Sequence, residues 1–170
     1  MSEQDVKYEQ KIENSDSSEA VLPDPDFSLD LIRNDLIPEL LGDHEESILY
    51  WGGKALARKH TLSTVEETAS FFYKAQWGVL KLVKEKKQQQ IYELTGTRHT
   101  PERSYVSLEC GFLAEQIQTR TGSLTEAAYE IQKHKPLTYE ITVRWDKKDP
   151  VDPPENLSRK ADKKKSRRGS

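Results

Sequence analysis

The stretch LECGFLAEQI, residues 108–117, decides how the rest of the chain is read. Leu108, Phe112 and Gln116 recur at i, i+4 and i+8, and Leu113 and Ile117 widen the apolar face, which is a helical period. The only cysteine, Cys110, and its neighbour Gly111 fall in the first turns of this helix. Runs of alternating polarity stand on both sides of it. The simplest arrangement lays the helix on the strands that those runs form.

After the helix, residues 125–133 and 137–145 alternate. Leu137, Tyr139, Ile141, Val143 and Trp145 fall on one side, and Thr138, Glu140, Thr142 and Arg144 on the other. His134-Lys135-Pro136 supplies the turn. Before the helix, residues 78–84 and 89–95 read as a second antiparallel hairpin, with Tyr92 and Leu94 on one face and Ile91, Glu93 and Thr95 on the other. One wet face and one dry face are expected of such a sheet.

Three helices come first. Residues 27–41 carry an interrupted apolar stripe of Phe27, Leu31, Ile32, Leu36 and Leu40; Asp26 or Ser28 is the expected cap, and Pro38 is expected to kink the run near Ile37. Residues 43–60 begin with a capping-box pattern, Asp43 and Glu46, and offer Ile48, Leu49, Trp51, Ala55 and Leu56 as a buried side. Gly52 and Gly53 in the middle each cost roughly 1 kcal/mol relative to Ala. Close approach of another helix or of a ligand would offset that. Residues 64–75 begin with a second box, Thr64 and Glu67, and are anchored by Val65, Phe71 and Phe72. The predicted fold class is α+β, with helices packed on a four-stranded antiparallel sheet in the order ααα-ββ-α-ββ.

Polarity is concentrated at the ends. Residues 1–26 hold eight acidic and two basic side chains, and residues 147–170 hold nine Lys or Arg and four Asp or Glu. Both segments are poor in core-forming groups, so disorder is expected over 1–26 and 150–170, with one folded domain over 27–149. The net charge of −3 gives no global field that argues for nucleic acid or a membrane surface. A single cysteine cannot form an internal disulfide, the N-terminus has no apolar leader, and no run has bilayer-spanning length. A cytoplasmic protein with no membrane span is expected.

Few groups suggest chemistry. A thiol near a helix N-terminus can be acidified, but Cys110 has no base placed beside it by sequence, and a small buried hydrophobe is the stronger reading. His44, His60, His99 and His134 have no metal-ligand spacing, and neither metal nor cofactor is expected. Glu109 and Glu115 lie six apart, off a common face, and read as solvated charges. Tyr50, Trp51, Phe71, Phe72 and Trp77 read first as core. The alternative makes Tyr50, Trp51 and Trp77, with Gly52 and Gly53 leaving room, the wall of an apolar pocket beside Cys110 and Gly111.

Five blocks carry a resemblance: ILYWGGKALAR (48–58), FFYKAQWG (71–78), LVKEKK (82–87), LECGFLAEQIQ (108–118) and VRWDKKDP (143–150). Together they resemble the YslB family of Firmicutes proteins, over roughly residues 27–150. More distantly, the element order is similar to the ligand-binding domains of nitric-oxide signalling and Golgi transport, including vinyl-reductase-type domains and small TRAPP subunits. The resemblance implies helices packed on an antiparallel sheet, pairing with another copy, and room for a hydrophobic small molecule. The expected function is a non-enzymatic ligand-binding or assembly domain, with a homodimer as its form. The alternatives are a sensor or enzyme using a pocket near Cys110, and an adaptor to RNA or anionic membrane through the basic tail at 163–168.

Overall fold

The computed structural model describes residues 24–103 and 105–153. The acidic head at 1–23 and the basic cluster at 163–168 lie outside the described residues.

The first helix starts at Pro25, earlier than expected. The Asp24 carboxylate accepts the Asp26 N–H at 2.9 Å, so Asp24, and not Asp26 or Ser28, caps α1, Pro25–Asp30. A proline in the first turn forfeits only an N–H that has no helical partner anyway. Pro38 cannot donate to the carbonyl one turn back. The chain absorbs this just upstream as a π-helical turn, Leu31–Leu36, in which the Ile37 N–H reaches the Ile32 carbonyl; α2, Ile37–Leu41, then resumes.

Gly42 takes a positive φ of 53° and the chain turns through a 3-10 segment, Gly42–His44, into α3, Glu45–Lys59. The Asp43–Glu46 capping box does not form. Asp43 is consumed by the 3-10 turn, and His44 stands at the cap with no side-chain bond. At α4, Val65–Lys74, the cap does form: the Thr64 hydroxyl accepts the Glu67 N–H at 3.1 Å, while the Glu67 carboxylate reaches one residue past the cap and accepts the Ser63 N–H at 2.6 Å.

The strands are β1, Val79–Lys86; β2, Gln89–Thr95; β3, Ser123–His134; and β4, Leu137–Pro150. Between the hairpins runs α5, Ser107–Thr121, closed by Gly122 in the left-handed conformation. The sheet order is β1-β2-β4-β3, antiparallel throughout, so the hairpins join where Tyr92 faces Ile141 and Leu94 faces Tyr139. This is the expected α+β class. β4 does not stop at Trp145: Leu124 pairs with Asp146, and Ser123 with Pro150. β3 begins directly after Gly122, so its first residues offer a ladder that carries β4 past its last apolar residue.

One face of the sheet buries Leu80, Tyr92, Leu94, Tyr139, Ile141 and Val143, and α5 lies on it. Every residue of α5 from Glu109 to Ile117 is buried, Phe112 and Ile117 included. Phe112 is collared by Phe71, stacked at 4.7 Å, and by Phe72 and Trp77, both edge-on. The aromatic group around the second and third helices is thus largely core.

The close contact that binds the helical layer is between α3 and α5. A Cβ built on Gly53 would lie 2.8 Å from the Phe112 backbone nitrogen, and one on Gly111 would lie 2.7 Å from the Tyr50 carbonyl carbon. Each glycine lets the other helix's backbone approach. Gly53 is therefore offset by a neighbouring helix. Gly52 is different: its Cβ would meet only Leu108 Cδ1, at an ordinary 3.9 Å.

The two glycines should separate in denaturant. Gly53→Ala or Gly111→Ala must move backbone, and is expected to destabilise by about 3 kcal/mol, the upper part of the overpacking range. Gly52→Ala is expected to be neutral or stabilising by up to about 1 kcal/mol. Urea unfolding of the three variants reads this directly, and equal losses at 52 and 53 would contradict the packing.

Candidate functional site

The residues expected to line a pocket do not meet at one place. Tyr50, Gly53, Cys110 and Gly111 come together at the α3–α5 crossing, where the glycines are filled by backbone. The Tyr50 hydroxyl accepts the Ala127 N–H at 3.1 Å, which joins α3 to the edge strand β3. Trp77 is in the collar around Phe112. Trp51 points outward, 64% exposed, edge-on to Tyr50, with the Lys54 ammonium 6.0 Å from its ring. Ile48 and Ala55 are exposed with it, so three residues expected on the buried side of α3 face solvent.

Cys110 is buried. Burial pushes its thiol well above the usual value, and the Glu109 charge pushes it further, so the sulfur is held protonated. Burial likewise raises Tyr50 and Tyr129, and the Tyr129 hydroxyl donates to Glu46 at 2.8 Å. No acidified nucleophile results. Among the described residues, no three His, Cys, Asp or Glu side chains converge where a metal ion could sit.

The polar groups that matter are ones the sequence reading passed over. Glu109 and Glu115 are not solvated; both are buried on α5. Arg33, from the π turn, donates to Glu109 Oε1 at 2.6 Å, and His99 Nε2 lies 3.8 Å from the same oxygen. Burial raises the Glu109 pKa, but His99 and Arg33 outweigh it and hold the carboxyl below its ordinary range. Its other oxygen has no hydrogen-bond partner among the described residues. Glu115 takes Lys54 at 3.3 Å and Arg58 at 3.0 Å. Gln116 accepts the Leu62 N–H and donates to the His60 carbonyl, tying the α3–α4 link to α5. Arg103 pairs with Glu45 at the start of α3.

Each buried charge on α5 or α3 thus has a partner; Arg33 and Lys54 occupy inward positions of their helices, and Arg58 reaches Glu115 from an exposed position. Several apolar residues of those helices face outward. Phe27 is 65% exposed and Leu40 70%, with Leu31, Ile32 and Leu36 between them also exposed. In an unbroken α-helix, at about 100° per residue, Leu36 would lie roughly opposite Phe27. The π turn stacks residues five apart, so Phe27, Leu31, Leu36 and Leu40 share one outer face while Arg33 points in. A charge in a run otherwise apolar, such as Glu109 and Glu115 among LECGFLAEQI, was the available signal that those carboxylates are buried.

The cleft beside Glu109 is lined by Leu29, Arg33, Trp77 and His99 and has a volume of about 10 Å³, room for about one water. A larger depression of about 410 Å³ lies on the wet face of the sheet, among Glu126, Glu130, Glu140 and Arg144.

Residues 26–144 match the family described as "Protein of unknown function (DUF2507)". The chain belongs to that family. It is 41% identical over 131 residues to the Bacillus subtilis (strain 168) "Uncharacterized protein YslB", spanning 74% of this chain and 87% of that protein. Two solved structures share the fold. A vinyl-4-reductase family protein from Methanocaldococcus jannaschii is similar at a TM-score of 0.53 and 16% identity, over 89% of this chain and 98% of that one. A trafficking protein particle complex subunit 3 from Naegleria fowleri, covalently bound to palmitic acid, is similar at 0.52 and 15%, over 74% and 96%. At these identities the likeness is one of fold. The family member described here keeps the predicted helices-on-sheet architecture.

With its thiol pushed up and enclosed, Cys110 should resist modification. A thiol-specific disulfide reagent at pH 8 is expected to leave the native protein unlabelled and to react fully once denaturant unfolds it. Native labelling at the rate of a free thiol would show that the site beside α5 is open.

Proposed function

We propose that this DUF2507 protein is a non-enzymatic assembly domain that pairs with a second copy through the outer faces of its first helix and of α3. The observation that carries this is the outward stripe of Phe27, Leu31, Leu36 and Leu40, accompanied by Ile48, Trp51 and Ala55 on α3. A soluble chain rarely exposes aligned apolar side chains on two helices unless another surface covers them. A closed two-fold contact would cover the stripe on both copies at once.

The flanks of the stripe argue against an anionic membrane as the cover. Residues 24–44 carry Asp24, Asp26, Asp30, Asp35, Glu39 and Asp43 against Arg33 as the one Lys or Arg. One of the solved structures of similar fold is, by its name, a subunit of a complex, which fits an assembly role. An apolar ligand beside Cys110 is the weaker reading, because Gly53 and Gly111 are occupied by backbone and the adjoining cleft is water-sized.

Sedimentation equilibrium of the full chain at micromolar concentration is expected to give the mass of two copies. Leu36→Asp should weaken pairing at least about a hundredfold, as for a central contact residue, and leave far-ultraviolet dichroism unchanged. A wild-type monomer under these conditions would remove the reading.

A further inference from the structure

Ion pairs make the closest contacts between the first helix and the domain. Among the described side chains of residues 24–44, no apolar one belongs to the buried core or to the half-buried shell packed on it, although Leu29, Ile37 and Leu41 are half-buried and Leu29 lines the small cleft with Trp77. Arg33 donates to Glu109 at 2.6 Å and stands 3.5 Å from His99 Nε2. Arg98 grips Asp30 with bonds of 3.1 and 2.7 Å and reaches Asp26 at 3.1 Å. Arg103 donates to the Arg33 carbonyl at 3.5 Å. At the far end of the helix, Gly42 has a positive φ and open space around it.

We propose that residues 25–41 form a latched arm that swings as a unit about Gly42, held closed by the Arg33–Glu109 contact and opened without disturbing the core. The arm carries the stripe through which the second copy is proposed to pair, so the use of the latch in pairing rests on that reading. The Arg98 pairs are exposed, and pairs of that kind contribute little. The closed state therefore depends on the buried carboxylate. When the arm swings away, Glu109 loses the Arg33 donor at 2.6 Å and keeps only the His99 ring, 3.8 Å off. A neutral residue at 109 removes both the attraction for Arg33 and the cost of opening.

The groups facing Glu109 are Arg33 from the arm, His99 from the segment after β2, Cys110 on its own helix and Tyr139 on β4. Against burial, His99 and then Arg33 hold the carboxyl below its ordinary 4.5, so the share of the latch that Arg33 supplies is present above that value and fades as pH falls through the lowered one. Acid should open the arm.

Thiol labelling separates arm opening from unfolding. Ile37→Cys places a thiol on the inner, half-buried side of the arm, and Cys110 reports the core. Rates are taken in the Leu36→Asp background and divided by the rate in denaturant at the same pH. Glu109→Gln and Arg33→Met are each expected to raise labelling at 37 at least about tenfold, the loss of one charge-assisted bond, with Cys110 still protected. Arg33→Met leaves the core sequence untouched and decides the matter if Glu109→Gln fails to fold. Unchanged labelling at 37 in Arg33→Met, or simultaneous exposure of 37 and Cys110, overturns the latch. Wild-type sedimentation as a monomer overturns the pairing reading instead, and the labelling ratios still decide the arm.

Discussion

Gly53 against the Leu108–Phe112 backbone, and Gly111 against that of Tyr50, set how deeply α5 sits, and the rest of the structure follows from that depth. With α3 in backbone contact on one side and the sheet on the other, α5 has no wet face left between Glu109 and Ile117. Its carboxylates must then be neutralised inside the protein. An ionised carboxylate out of water costs several kcal/mol unless a partner meets it with good geometry. Lys54 and Arg58 meet Glu115 from α3, and Arg33 meets Glu109 from the π turn. Inward positions of two helices are thereby given to Arg33 and Lys54, while Phe27, Leu31, Leu36, Ile48 and Trp51 face out and Ala57 stays in the core. The outward stripe accompanies the buried charges.

The Pro38-driven π turn serves both sides of that exchange. The one-residue offset aligns Leu31 with Leu36 on the outside while it aims Arg33 at Glu109. A regular helix through the same residues would split the stripe across two faces. Charge burial and apolar exposure are thus coupled through a local irregularity.

Much of the fold was legible. Tyr92 and Leu94, the alternation of β4, the Thr64–Glu67 cap and the helix closed by Gly122 all report local chemistry that tertiary structure left unchanged. The direction of the amphipathic faces was not legible. Periodicity says that Phe27, Leu31, Ile48 and Trp51 form apolar faces; it does not say what covers them, and the chain's own core does not. Nor does spacing reveal that Glu109 and Glu115 have cations waiting 76 and 57 to 61 positions away in sequence. Of the Gly52–Gly53 pair expected to admit a close approach, Gly53 does so and Gly52 does not; Gly111 is a second such place that the sequence did not mark. The approaching group at Gly53 and Gly111 is helix backbone. The stretches 48–58 and 108–118, two of those that carry the family resemblance, are the two that meet at this crossing.

Native-state hydrogen exchange across a denaturant series measures the central claim most directly. If the glycine contact encloses α5, the amides of residues 110–117 should exchange only through global unfolding, with the full denaturant dependence of the whole domain. Exchange of those amides through small, denaturant-independent openings would mean that α5 has a free face, and the derivation of its buried charges from that enclosure would fail.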